Sequence, residues 1–335
     1  MGTSVSHSSV TVCLSQQDKS PMESRNHTST SEFILLGLSS QPERQELVFG
    51  LFLVMYLVGT AGNLLMILAI GSNVRLHTPM YFFLSNLSLV DFCFISATVP
   101  KMLVNIQMQT QSISYRGCLA QIYFCILLAN MDNFLLTAMA YDRHVAICHP
   151  LHYSSKMSLH VCALMLGSSW LIASLHSLLH TLLMARLDFC DSNVIPYFFC
   201  DLLPLLQLSC SNTQLNQLMI LLVGGMIVLM PFLGIIVSYT RIVSAVLRIP
   251  SARGKQKAFS TCGSHLTVVI FFYGTITGVY LSPSSSHSAD KDSLASVMYM
   301  VVTPMLNPFI YCLRNKDIKG ALRKLFSLKA LFCEL

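Results

Sequence analysis

The 335 residues predict an all-α membrane protein: a bundle of seven transmembrane helices followed by a short amphipathic helix. Three observations carry that prediction. Hydrophobic residues make up 53% of the chain and charged ones only 11%, with a mean hydropathy of +0.61, whereas an ordinary globular protein is about 25% charged. So few charges cannot clothe a soluble surface of this size. Apolar stretches long enough to cross a bilayer, about 20 residues each, recur seven times. Basic residues gather at alternate connections, as they do on the cytoplasmic side of membrane proteins. A disordered chain, a nucleic-acid binder and a disulfide-dense miniprotein are thereby excluded.

Taken in order, the first span covers 47–70 and contains no Asp, Glu, Lys or Arg. The second, 80–104, carries Asp91 within it, and the third, 118–141, carries Asp132. The fourth, 161–185, is uncharged. The uncharged run 202–240 is too long for one crossing. Asn, Gln, Ser and Cys crowd its first half, which places the fifth span at 217–240. The sixth, 259–282, and the seventh, 293–313, lie in uncharged stretches. No internal repeat is visible, and an odd number of crossings puts the termini on opposite sides.

Orientation follows from charge. With the N-terminus outside, the inner segments collect most of the 21 Lys and Arg residues, among them Arg75, Arg143, Lys156, Arg241, Lys255 and Lys257. Asp188, Asp191, Asp201, Asp290 and Asp292 fall on the other face. The net charge of +6 is therefore a topology signal. Residues 1–45 read as an extracellular tail, 46–313 as the transmembrane domain, and 314–335 as a cytoplasmic helix and tail. The expected location is the plasma membrane. Asn26-His27-Thr28 is a glycosylation sequon in the polar tail, and Met22 is an alternative start. Beyond the seventh span, Ile318, Leu322 and Leu325 recur at helical spacing opposite Lys316, Lys319, Arg323 and Lys324. Such a helix lies on the anionic inner leaflet.

Of the 12 cysteines, Cys118, Cys190, Cys200 and Cys210 fall on the outer side, where disulfides persist. The expected bonds are Cys118–Cys200 and Cys190–Cys210. Four cysteines allow three pairings, and spacing alone does not choose among them.

Four motifs give the chain its specificity. Met139-Ala-Tyr-Asp-Arg-His-Val-Ala-Ile-Cys148 ends the third span, and Pro79-Met-Tyr-Phe-Phe-Leu-Ser-Asn-Leu-Ser-Leu-Val-Asp91 enters the second. Lys257-Ala-Phe-Ser-Thr-Cys-Gly-Ser-His-Leu266 opens the sixth, and Pro304-Met-Leu-Asn-Pro-Phe-Ile-Tyr311 closes the seventh. In this order and spacing the chain resembles an olfactory receptor of the tetrapod type, within the rhodopsin-like G-protein-coupled receptors. The resemblance runs from about Asn26 to Leu325.

The resemblance implies roles. Asp91 lies deep in a span, where a charge costs roughly 2.5–3.5 kcal/mol on insertion scales, so it needs partners. Asn63 and Asn307 are the polar candidates, and a sodium ion or water is implied between Asp91 and Asp132. Arg143 is expected to pair with Asp142 at rest and to meet a stimulatory olfactory-type G protein when active, raising cyclic AMP. His144 stands where the family usually has Tyr. Tyr239 and Tyr311 are implied to close a polar lock over Arg143 in the active state, and Pro308 lets the seventh helix bend.

The implied ligand site is lined by Cys125, Ile126, Ala129 and Asn130 on the third helix and by Val223 and Ile227 on the fifth. The sixth supplies Tyr273, Ile276, Thr277 and Tyr280, and the seventh Val297 and Met300. Cys125 replaces the Asp of amine receptors, and Val301 the retinal-binding Lys of opsins. This mostly apolar set suits a small neutral odorant, with Asn130, Thr277 and Tyr280 as hydrogen-bonding groups. His176 and His180, one turn apart, have a metal-chelating spacing. No third ligand accompanies them, and Tyr197-Phe-Phe-Cys-Asp201 lacks the His of the proposed family metal motif, so no metal is expected. A transporter would need repeats or broken helices, and a hydrolase built on Asp91 and Asp132 would need a supporting motif. Neither is present, so no enzyme is expected.

Overall fold

The computed structural model describes residues 31–38, 42–190, 193–280 and 294–333. Asn26 and Met22 lie outside the described residues. The helices are α1 (Pro42–Gly71), α2 (Pro79–Gln107), α3 (Tyr115–Cys148), α4 (Leu159–Ala185), α5 (Gln214–Leu247), α6 (Ala252–Tyr280), α7 (Leu294–Leu313) and α8 (Lys316–Cys333). Each expected span falls on one of α1–α7, except that 281–282 and 293 are not described. Several helices run past the apolar stretch that announced them. Residues such as Asp142 and Arg143 continue α3 beyond the hydrocarbon because nothing in 142–148 breaks a helix.

Six of these helices, α1–α5 and α7, are long and apolar enough to cross a membrane. In α6 the apolar part is Cys262–Gly278, and its first turns carry Arg253 and Lys255.

Local chemistry sets the boundaries. Pro79 opens α2 at a position whose N–H would have no helical partner anyway. Ser114 and Ser158 cap α3 and α4 by accepting from the N–H groups of Gly117 and Val161. Asn315 Oδ1 caps α8 through Asp317 N at 2.9 Å and Ile318 N at 3.2 Å. Two helices contain a π turn, Ile220–Gly224 in α5 and Met298–Val302 in α7. Such turns often mark functional sites.

The bundle is built around α3, whose buried face runs from Cys118 to Val145. In contrast, α1, α4 and α5 turn leucines outward; Leu171 is 61% and Leu221 72% exposed. In water a patch of that kind drives association. Against lipid tails it costs nothing, as expected of a multi-pass membrane protein.

One end of the bundle carries a small cap that the sequence did not foresee. Strands β1 (Glu32–Leu35), β2 (Ser112–Ser114) and β3 (Val194–Ile195) form a sheet in the order β2-β1-β3. Phe33 lies opposite Ile113 in the antiparallel pair, and Ile34 opposite Val194 in the parallel one. Residues 32–35, within the stretch read as an extracellular tail, form a strand. Phe33 is the reason, fully buried and edge-on to Phe189 with ring centroids 5.1 Å apart. The polar-rich stretch before α5 also holds a short helix, Leu202–Leu208, which buries Leu205 and Leu206. Disulfides join Cys118 to Cys200 and Cys190 to Cys210, the pairing expected. The first fastens the connection after α4 to the start of α3.

Candidate functional site

Three polar clusters run along the inside of the bundle. The first lies toward the disulfide end. Asn130 Nδ2 bonds to His176 Nδ1 at 2.8 Å, and His176 Nε2 faces His180 Nε2 at 3.0 Å. With the amide as donor, the His176 proton sits on Nε2 and is donated to His180. Asn130, expected to hold a ligand, therefore has a protein partner on α4 that the sequence reading did not assign. Among the described residues no group of three or more His, Cys, Asp and Glu could hold a metal.

Asn133, one turn along α3 and absent from the expected site, joins three helices. Its Nδ2 donates to the Ile227 carbonyl at 2.8 Å, and its Oδ1 accepts from the Tyr273 hydroxyl. Ile227 is four residues before Pro231, which has no N–H to give. The side chain of Asn133 thus satisfies a carbonyl that the helix itself leaves open. The sequence signal is the run Asn130-Met-Asp-Asn133 inside an apolar span, where a third polar side chain needs a partner as much as Asn130 and Asp132 do.

Among the expected ligand-site residues, Cys125 and Met300 are buried, while Ile126, Ala129, Ile276 and Val297 are half-buried. Val223 falls in the α5 π turn, and Ile227 is engaged through its carbonyl. The Tyr273 ring packs on Phe232 with centroids 4.6 Å apart. Thr277 is exposed. Tyr280 closes α6, and its side chain lies outside what is described.

The second cluster sits mid-bundle. Asp91 is 1% exposed, and both its oxygens accept from Asn307 Nδ2, at 3.1 and 2.9 Å. Asn63, the other candidate partner, does not reach it. Asn63 Nδ2 donates to the Gly59 carbonyl at 3.0 Å and the Pro304 carbonyl at 3.1 Å. The reason is again a proline: Pro304 precedes Pro308 by four residues, so its carbonyl lacks the usual helical N–H. The two helices come close enough because Gly59 and Gly62 lack side chains. A Cβ on Gly62 would stand 3.0 Å from Pro308 Cγ. Asp132 Oδ1, Asn307 Oδ1 and the Tyr311 hydroxyl are buried without a hydrogen-bond partner. An oxygen-rich set with open acceptors suits a hard cation such as sodium. Asp91 and Asp132 would hold it, supplying the charge it needs.

The third cluster surrounds Arg143. The expected Asp142–Arg143 pair is not formed. Asp142 Oδ1 instead accepts from the Tyr153 hydroxyl at 2.7 Å, and Arg143 Nε has no hydrogen-bond partner. Asp142 and Arg143 are consecutive on a helix and point to different sides, and the Asp142 side faces the Tyr153–Lys156 turn. Burial, and then the bond to Asp142, push the Tyr153 hydroxyl above its ordinary range. His144 is buried, its Nδ1 without a partner.

Tyr239 and Tyr311, which the resemblance joins over Arg143 in the active state, are not hydrogen-bonded to each other in this structure. The Tyr239 hydroxyl meets His265 Nδ1 at 2.8 Å, and His265 Nε2 meets the Leu136 carbonyl at 2.9 Å. The carbonyl can only accept, so the His265 proton is on Nε2 and Tyr239 donates to Nδ1. His265, in the motif that opens the sixth span, thus ties α3, α5 and α6 together.

The family profile described as olfactory receptor matches residues 52–329. The chain belongs to the olfactory receptor family. Olfactory receptor 1f45 of Rattus norvegicus is 60% identical over 308 residues, 92% of this chain and 98% of that one. Olfactory receptor 1F1 of Homo sapiens is 58% identical over 303 residues, 90% and 97% respectively. Squid rhodopsin, in a crystal structure, shares the fold with a TM-score of 0.64 at 16% identity, over 89% of each chain. As an olfactory receptor this chain is an odorant-sensing G-protein-coupled receptor in a membrane and not an enzyme.

Proposed function

We propose that this olfactory receptor takes a small, neutral, mostly apolar odorant between Cys125, Ile126 and Ala129 of α3, Val223 and Ile227 of α5, Tyr273, Ile276 and Thr277 of α6, and Val297 and Met300 of α7. Binding shifts a conformational equilibrium toward a state that engages a stimulatory olfactory-type G protein and raises cyclic AMP. The receptor sits in the plasma membrane with its N-terminus outside, a reading supported by the basic residues around Arg143.

The observation that best supports this mechanism is the Tyr273–Asn133–Ile227 link. It joins the helices around the odorant site, and an odorant packed on Tyr273 bears directly on it. Rearrangement there is passed along α6 to His265, which holds Tyr239. Released from His265, Tyr239 can turn to Arg143. A sodium ion at Asp91 and Asp132 favours the resting arrangement by neutralising two close carboxylates, which otherwise cannot both ionise cheaply.

The test is a cyclic AMP response to a panel of small volatiles, in cells supplying the olfactory G protein and a trafficking chaperone. Arg143→Ala runs alongside at matched surface level. The expected result is a response to neutral volatiles that Arg143→Ala abolishes. A response that survives that substitution overturns the coupling mechanism.

A further inference from the structure

Around the proposed odorant site, the polar side chains described so far are engaged or turned away. Thr277 is exposed, and the Tyr273 hydroxyl is donated to Asn133 Oδ1. Asn130 adjoins the lining, directly after Ala129 and one helical turn from Ile126. Its partner on α4 borders the same place from α5. A Cβ added to Gly224 would stand 3.8 Å from His176 Nε2, and Gly224 follows Val223 in the α5 π turn.

The two histidines decide which end of the Asn130 amide is left over. Asn130 Nδ2 is 2.8 Å from His176 Nδ1, and His176 Nε2 is 3.0 Å from His180 Nε2. With its proton on Nε2, donated to His180, His176 has only an acceptor at Nδ1, and that accepts the NH2 end of the amide. The carboxamide is thereby kept from turning over. Its Oδ1 takes no hydrogen bond among the described residues, yet it is not sealed in the packing as the Oδ1 atoms of Asn63, Asp132 and Asn307 are. Asn130 therefore holds out a fixed, reachable acceptor.

We infer, on the strength of the odorant site proposed above, that Asn130 Oδ1 accepts a hydrogen bond from the odorant and that the receptor selects alcohols over ketones of the same skeleton. An alcohol donates its hydroxyl to Oδ1. A ketone brings a second acceptor against it and leaves it unpaired, the kind of mismatch that a hydrogen-bonding site rejects. His176 and His180 are positioning residues: they act on the odorant through Asn130, by fixing which end of its amide faces the site.

The test measures cyclic AMP concentration–response curves for the full-length receptor, in cells supplying the olfactory G protein and a trafficking chaperone. The probes are saturated secondary alcohols, each paired with its ketone: 2-octanol with 2-octanone, cyclohexanol with cyclohexanone, menthol with menthone. Alcohols should be more potent than their ketones by roughly twofold to tenfold, the worth of one hydrogen bond. Asn130→Leu should remove that advantage and leave ketone potency in place. His176→Phe keeps a ring but loses the Nδ1 acceptor, and His180→Phe leaves the His176 proton without its acceptor. Both should bring the alcohol-to-ketone ratio toward one at matched surface level, and three variants at separate positions keep the comparison open if one fails to reach the surface. Equal or reversed potency within the pairs, an advantage that survives Asn130→Leu, or a loss that falls on alcohol and ketone alike overturns the inference and leaves the odorant site standing. Silence to every probe from a receptor at the surface removes both.

Discussion

Asn63 on α1 supplies the Pro304 carbonyl on α7 with the hydrogen bond that the helix cannot, because residue 308 is proline. Asn133 does the same for Ile227, four residues before Pro231. Both prolines weaken their own helix, and in both cases a neighbouring helix makes good the missing bond.

Replacing Asn63 by Leu should therefore cost about 1–3 kcal/mol of stability, the penalty of a buried carbonyl left alone. Pro308→Ala returns an N–H to α7 and should recover much of that loss in the double variant. Thermal unfolding of the purified receptors, read as a double-mutant cycle, checks this. Additive losses would refute it.

Sodium should stabilise the receptor through the two mid-bundle carboxylates. Replacing choline chloride by sodium chloride at constant ionic strength should raise the melting temperature, and Asp132→Asn should remove that rise. A rise that persists in the variant would place the ion elsewhere.

His265→Phe removes the acceptor that holds Tyr239. One hydrogen bond is worth about 0.5–1.5 kcal/mol, so the active fraction should rise roughly twofold to tenfold. The measurement is basal cyclic AMP at matched surface expression, with Tyr239→Phe added to the His265→Phe receptor to reverse the increase.

Tyr153→Phe deprives buried Asp142 of its hydroxyl partner and should lower thermal stability by about 1.5–3 kcal/mol, as for a bond to a charged group. The pH dependence has a definite sign. Because the folded Tyr153 hydroxyl titrates above the ordinary phenol value of about 10, its contribution is complete below that value. It is lost as pH rises from there toward the folded value. The stability gap between parent and variant should therefore hold steady from about pH 7 to 9 and close only in stronger alkali.

The seven helices were legible because lipid imposes one simple demand, an apolar stretch of fixed length, that Leu, Ile and Val meet visibly. Asp91 and Asn307 were legible as a pair because a buried charge needs a partner and few polar residues were on offer. Asn63 was misassigned for a related reason. A side-chain amide can satisfy a backbone carbonyl as well as a carboxylate, and the orphaned carbonyl is visible only to a reader who counts back four residues from Pro308. The His176–Asn130 and His265–Tyr239 bonds depend on the rotation of one helix against another, which periodicity does not fix. The strand at Glu32–Leu35 is too short to stand out by pattern, and its partners lie some 80 and 160 residues away in the chain.

The π turn at Ile220–Gly224 has a consequence for tolerance to change. A wide turn holds a surplus residue, so a single deletion there can leave an unbroken α-helix instead of a severed one. What it preserves is phase. A π turn spends one more residue than an α turn on the same rotation, so removing that residue leaves the helix on either side facing as before. A one-residue length variant in this segment would insert and fold with the walls above and below the turn still presented to the bundle, whereas the same deletion in a regular stretch of α5 would turn one half by about 100° against the other.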